Sequence, residues 1–436
     1  MNTAQERVTA IQQRFPKEGL FADKEWNIGP EPFFIEPALA DYLERLGHWL
    51  FKFVRAANLL YQQSRRGKKP AWIAEYLDAG KPERLRDLWT TARADLPRVI
   101  RPDIILTQDG MIISELDSVP GGIGLTGWLN QVYADLGFDV VGGRDGMVEG
   151  FRSILPQGGI IAVSEEAATY RPEMRWLQRE LNARFGPRWD VQPAETLDFH
   201  AKTPVYRFFE LFDLPNLPST QSLLEAAHAG TLQITPPLKP YLEEKLWFAL
   251  FWSHPLQTFW IRELSERHFR KLQSMMPKTW VVDPAPVPHH AVIPWLCIQQ
   301  WDELKHFSHK QRDFVLKISG FSERAWGSRG VYVGTDLPQA EWARLIDEAK
   351  ASFPIQPFIL QRFHRGRLFE QSMYQTATGI FSTFRGRVRL CPYYFVASED
   401  DVRLGGILAT IVPADKKIVH GMRDAAMVPV AVKPAT

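Results

Sequence analysis

Arg101-Pro102-Asp103-Ile104-Ile105-Leu106-Thr107-Gln108-Asp109-Gly110-Met111-Ile112-Ile113-Ser114-Glu115-Leu116-Asp117 reads as two apolar runs doubled back on one turn. Ile104, Ile105 and Leu106 make the first run and Met111, Ile112 and Ile113 the second. Gln108-Asp109-Gly110 supplies the turn chemistry of a β-hairpin between them. Glu115 and Asp117 stand two apart on the second strand, so their side chains take one face. Asp103 lies twelve residues before Glu115, and the turn folds it back beside them. Three carboxylates at one spot repel each other unless a divalent cation neutralises them, and hard oxygen donors suit Mg2+. The same pattern also fits acids at strand ends in solvent. Pro120-Gly121-Gly122-Ile123-Gly124 follows as a loop.

A second charged motif lies far downstream. Phe314-Val315-Leu316-Lys317-Ile318 sets a lysine in a strand otherwise built for burial, which is unfavourable unless the ammonium meets an anion. The segment 319–330 follows at once, with Gly320, Gly327, Ser328 and Gly330 and the cations Arg324 and Arg329. Glycines let backbone N–H groups approach an anion closely, so a lysine and a glycine loop together can hold nucleotide phosphates. The segment is neither a Walker A loop nor a kinase G-x-G-x-x-G. It is also readable as a glycine hairpin beside an edge lysine.

The rest of the chain gives the setting. Leu39, Leu43, Leu46, Leu50 and Phe53 recur at helical spacing, and the section to about residue 96 reads as helical. Residues 158–164, a helix bearing Met174, Leu177 and Leu181, and 189–191 suggest a small parallel α/β unit without a dinucleotide fingerprint. Residues 236–276 read as helical, and the prolines of 277–294 as a stiff linker. The last section reads as strands around a helix at 339–352. Strands are expected at 331–333, 358–361, 380–384, 388–396 and 407–412, with a turn at Arg385-Gly386. Arg387 and Arg389 alternate with Val388 and Leu390, so they share a face that either binds an anion or is the exposed side of a sheet.

Composition bounds the function. Of 436 residues, 45% are hydrophobic and 23% charged, which excludes a mainly disordered, collagen-like or coiled-coil chain. Lys plus Arg is 52 against 50 for Asp plus Glu, so no general polyanion-binding coat and no nucleic-acid partner are expected. Cys297 and Cys391 cannot form a disulfide framework or a four-cysteine zinc site, so a reducing cytoplasm is the expected setting. Residues 1–15 lack the apolar run of a signal peptide, and the apolar stretches end well before membrane-spanning length, so no membrane partner is expected. The 15 Trp and 27 Phe imply either a rich core or aromatic-lined pockets.

In this order the motifs resemble the circularly permuted ATP-grasp proteins, the group that includes glutathionylspermidine synthase. In that family an R-x-D…E-x-N hairpin comes early, and the lysine strand, glycine loop and adenine-contacting strand come late. Arg101-Pro102-Asp103 and Glu115-Leu116-Asp117 match the first part, and Lys317 with the loop to Gly330 the second. Phe358-Ile359-Leu360-Gln361-Arg362-Phe363 resembles the hinge strand that meets adenine. Lys245 sits where such proteins often carry another phosphate-contacting lysine. The resemblance implies an ATP-grasp fold of mixed α+β and α/β character. It would comprise a helical section (1–98), the acidic-hairpin part (99–150), a small α/β unit (151–235) and the lysine and glycine-loop part (236–436).

The resemblance also implies roles. Asp103, Glu115 and Asp117 would hold Mg2+ bridging the phosphates of ATP, and Arg101 would steady the phosphoryl group in transfer. Lys317, Lys245 and the loop with Gly320, Gly327, Ser328 and Gly330 would clamp the phosphates, and Gln361, Arg362 and Phe363 would frame the adenine. The family usually has Asn where this chain has Asp117. The implied reaction is phosphorylation of a small-molecule or peptide carboxylate, then displacement of the phosphate by an amine. A phosphotransferase, or a noncatalytic nucleotide-binding module, would use the same scaffold.

Overall fold

The computed structural model describes residues 3–16, 27–91, 94–200, 203–325, 329–419 and 425–434. The acidic hairpin is formed by Val99–Leu106 and Met111–Asp117, with Arg101 opposite Asp117 and Asp103 opposite Glu115. Those four side chains therefore share one face, and a register shift just past Asp103 breaks the alternation beyond them. The hairpin forms one edge of a seven-stranded sheet. From it the order runs Val99–Leu106, Ile380–Val396, Val402–Pro413, Ala426–Val432 and Phe33–Ile35, with Leu368–Gln375 also paired to Ile380–Val396. Only the pairing of Phe33–Ile35 with Ala426–Val432 is parallel.

The expected turn at Arg385-Gly386 is absent. Ile380–Val396 runs through it as one strand, because Arg385 pairs with Glu370 and Gly386 pairs with Phe369 on one side and Pro413 on the other. A ladder on both sides outweighs the local turn preference. The chain turns instead between Gln375 and Ile380, where Gly379 takes φ +71°.

The second sheet holds the lysine strand. Its order is Val331–Val333, Phe314–Ile318, Phe358–Arg362 and Thr279–Val281, all antiparallel. The segment expected as a proline linker thus supplies an edge strand. Gln339–Ser352 packs on this sheet through Trp342, Leu345 and Ile346, in a core separate from that of the large sheet.

The third sheet is parallel throughout: Trp189–Pro193, Gly159–Val163, Val205–Phe208 and Ile234–Thr235. Arg171–Phe185 joins its first two strands and buries Met174, Leu177 and Leu181.

The N-terminal helices Ala4–Arg14, Pro37–Arg65 and Ala71–Asp78 cover the large sheet. Pro37–Arg65 buries Leu43, Leu46, Leu50 and Phe53, each worth about 1.5–3 kcal/mol. Gly47 lets it lie close: a Cβ there would stand 2.5 Å from the Tyr394 ring, whose hydroxyl donates to the Leu43 carbonyl. Among the described residues no helix is long and apolar enough to cross a membrane.

Candidate active site

The hairpin face is filled by paired charges. Arg101 Nε lies 3.2 Å from Asp103 Oδ1, and its Nη2 lies 3.0 Å from Asp117 Oδ2. Arg389 enters from the neighbouring strand and donates to Asp103 Oδ2 at 2.8 Å, and the Cys391 thiol donates to Oδ1 at 3.4 Å. Burial opposes ionisation of Asp103, but Arg101 and Arg389 outweigh it and hold its carboxyl below the usual range. Asp117 moves the other way. Burial, with the charge of Glu115, raises it in spite of Arg101. Arg389 is thus a site residue, not part of an exposed face. Arg387 is 3% exposed and staples loops by donating to the Gly366 and Lys416 carbonyls at 3.2 and 2.9 Å.

Two lysines join this face to the second sheet. Lys317 reaches across to the hairpin and donates to the Ser114 carbonyl at 2.9 Å, and to Oε1 of Gln361 at 2.8 Å. Burial lowers its pKa to about 8, against the pull of Glu115. Lys245 stands at the start of Leu246–Trp252. Its ammonium lies 2.8 Å from Glu115 Oε1 and donates to the Ala325 carbonyl at 3.1 Å. Burial favours its neutral form, yet Glu115 prevails and its pKa is raised. The expected residues Arg101, Asp103, Glu115, Asp117, Lys245 and Lys317 therefore line one cleft.

The glycine loop has a built seat. The Ser319 hydroxyl donates both to Glu244 and, as acceptor, receives the Leu246 N–H. A Cβ on Gly320 would stand 2.9 Å from the Glu244 carboxyl carbon. Lys81, from the N-terminal section, is buried against the same carboxylate. Gly330 packs beneath the Arg324 carbonyl. Arg324 turns away to Glu348 and Tyr332, and Arg329 lies 3.7 Å from Glu166 beyond the first strand of the parallel sheet. Gly327 and Ser328 lie outside the described residues.

The parallel sheet supplies a third wall that the sequence did not reveal. Arg207, fully buried in Val205–Phe208, holds Glu243 and donates to the Pro236 carbonyl at 3.3 Å. Glu210 follows that strand. Burial and the neighbouring charges of Glu243 and Asp117 push it up to about 8. Its position just past the carboxyl end of a parallel strand is the available signal, since such edges carry ligands in open α/β sheets.

Beside the cleft is a cavity of about 410 Å³ lined by Ile112, Trp252, Lys278, Trp280, Phe314 and Arg362, among others. Ile112 stands on the hairpin strand, and Phe314 and Arg362 face each other at the far end of the lysine strand. Phe314 and Lys317 are three residues apart on one strand, so their side chains take opposite faces of the sheet: Phe314 lies on the face that packs under Gln339–Ser352, and Lys317 on the face toward the hairpin. Of the three residues expected to frame a base, Arg362 lines the cavity. Gln361 is 2% exposed and committed to Lys317 and to the Thr279 hydroxyl, and Phe363 is half-buried nearby.

The metal expectation has a mixed outcome in the donors themselves. Among the described residues no group of three or more His, Cys, Asp or Glu side chains is gathered as a metal cage. Asp103 is taken by two arginines and a thiol. Glu115 and Asp117 keep side-chain exposures of 34% and 27%. Mg2+ ordinarily uses one or two carboxylates with phosphate oxygens and water, not a full protein cage, so this pair fits it once Lys245 and Arg101 give up their ion pairs with it.

No protein-family model matches the chain, and no curated protein matches it. Among solved structures it is similar to a glutathione synthetase-like effector from Globodera pallida in apo form. That likeness has TM-score 0.58 and 11% identity over 98% of this chain and 95% of that one. The two share a fold. A putative gamma-glutamylcysteine synthetase from Methylobacillus flagellatus is more distant, at TM-score 0.42 and 10% identity over 84% of each chain.

Proposed function

We propose that this protein is a Mg2+-dependent, ATP-consuming ligase that joins a carboxylate to an amine through an acyl phosphate. The observation that carries the reading is the bridging of the acidic hairpin by two buried lysines of other elements: Lys317 to Ser114 and Lys245 to Glu115. Cations and acids so interleaved are suited to polyphosphate, whose oxygens would take over the lysines while Mg2+ took over the acids.

Each residue then has a defined task. Lys317 and Lys245 bind and orient the phosphates. Arg101 and Arg389, positioned by Asp103, meet the negative charge that spreads over the transferring group. Glu115 and Asp117 would hold Mg2+, which when bound neutralises phosphate charge. Ser319, Gly320 and Gly330 seat the two ends of the glycine loop, which would exclude water from the reactive acyl phosphate. The amine enters from the parallel sheet beside Glu210, which receives its proton before attack once pH has risen through about 8 and ionised the carboxyl.

The test is a product assay over a matrix of acids and amines. ADP and phosphate are expected only where both partners are present, with loss of turnover in Lys317→Met and Glu115→Gln proteins that still fold. A stable phosphorylated product without amine would favour a phosphotransferase instead. Full turnover in both variants would remove the site assignment.

A further inference from the structure

A second cavity, of about 460 Å³, opens at the opposite end of the parallel sheet from Arg207 and Glu210. Gly158, Pro204 and Ile234, where the parallel strands begin, form one wall. Phe51 of the long N-terminal helix forms the floor, and residues 396–399, past the end of Ile380–Val396, form the far side. The cavity thus joins all three layers and shares no lining residue with the reaction cleft.

Arg98 is exposed at the cavity and makes no ion pair among the described residues. Its guanidinium only reaches the Ile154 carbonyl, at 3.5 Å. The two acids of the wall are already countered: Glu399 pairs with Arg55 at 2.6 Å, and the charge of Asp95 acts on Lys239. The remaining unmet charge is positive, set among apolar side chains that include Phe51, Leu155, Leu232 and Val396.

We infer that this cavity is a binding site for a small carboxylate with an apolar body. The carboxylate pairs with Arg98, and its apolar part lies on Phe51 and Leu155. Occupancy bears on the reaction cleft through a short covalent and hydrogen-bonded route. Pro236, next to Thr235, accepts from Arg207, which holds Glu243. Arg98 lies on the segment that leads into Val99–Leu106 and Arg101.

The test is calorimetric titration of the full chain with N-acetyl-L-leucine and, as the neutral control, N-acetyl-L-leucine amide. The acid is expected to bind, the amide roughly tenfold more weakly or worse, and Arg98→Leu to weaken the acid by roughly tenfold. Ala397→Trp, which fills the cavity, removes binding. Glu115→Gln and Lys317→Met leave it unchanged. Arg98 is exposed, so its variant stays informative if the cavity-filling one fails to fold. Three outcomes overturn the inference: no heat from the acid at about 20 mM, equal binding of acid and amide, or binding kept in Arg98→Leu and lost in Lys317→Met. The last would put the acid in the reaction cleft.

Discussion

The ammonium of Lys245 stands 2.8 Å from Oε1 of Glu115, joining a short helix start in mid-chain to a strand formed near residue 115. The same ammonium holds the Ala325 carbonyl in the glycine loop. One side chain thus ties the acidic face to the glycine loop. Lys245→Met should weaken nucleotide binding by about 10- to 100-fold, the range of one or two charged hydrogen bonds. Tryptophan fluorescence titration with Mg-ATP measures this. An unchanged Kd would separate Lys245 from the phosphates.

Lys317 gives a pH signature. Its pKa falls from 10.5 to about 8 on burial. Between those values the unfolded chain binds more protons than the native one, so this group makes stability rise with pH across that window. Below pH 8 the full penalty of the buried charge is present, about 3 kcal/mol. Lys317→Met should flatten the stability profile between pH 8 and 10.5. Polyphosphate favours the ammonium form, so nucleotide binding at pH 8.5 should take up protons. Calorimetry in two buffers of different ionisation heat reads that uptake, and release of protons would contradict it.

Glu210 has the opposite slope. Its native pKa of about 8 lies above the ordinary 4.5, so the native state holds more protons between them. Its contribution to stability is present below pH 4.5 and is lost as pH rises to 8, on the order of 4 kcal/mol in all. Glu210→Gln should therefore be more stable than the parent at pH 8 and similar to it at pH 4.5. Amine-dependent turnover should drop by about 10²- to 10⁴-fold, as for loss of a proton acceptor. A variant equally stable at both pH values would show that Glu210 is not buried among like charges.

Much of this architecture was legible because local patterns carried it. Two apolar runs on either side of Asp109-Gly110 defined the hairpin, and with it the convergence of Asp103, Glu115 and Asp117. The apolar strand around Lys317 and the helix 339–352 were equally local. What could not be read depended on partners remote in the chain. Gly386 carries turn chemistry, yet strands from residues 369 and 413 hold it extended. Arg389 looked like either an anion site or a surface residue until Asp103 appeared beside it. Asp103 seemed a metal donor until two arginines claimed it. Trp252, Trp280 and Trp295 line one cavity but are scattered in sequence. Lys81 gave no signal, because its role comes from a residue in another section.

Lys81 is 7% exposed, and its ammonium is buried against Glu244, the acid beneath Gly320 that also receives the Ser319 hydroxyl. The N-terminal helical section thereby supports the seat of the loop. Removing one member of a buried ion pair strands the other, at about 3–5 kcal/mol, whereas replacing both can be nearly neutral. Lys81→Met should therefore melt well below the parent. Lys81→Met combined with Glu244→Gln should recover part of the loss, since no full charge is then left under Gly320. Nucleotide affinity should fall in the single variant, because an unpaired Glu244 carboxylate repels phosphate from the loop. Thermal melts of the parent and both variants in one buffer settle the comparison. A single variant as stable as the double would mean that Glu244 finds solvent or another cation, and that the loop does not rest on Lys81.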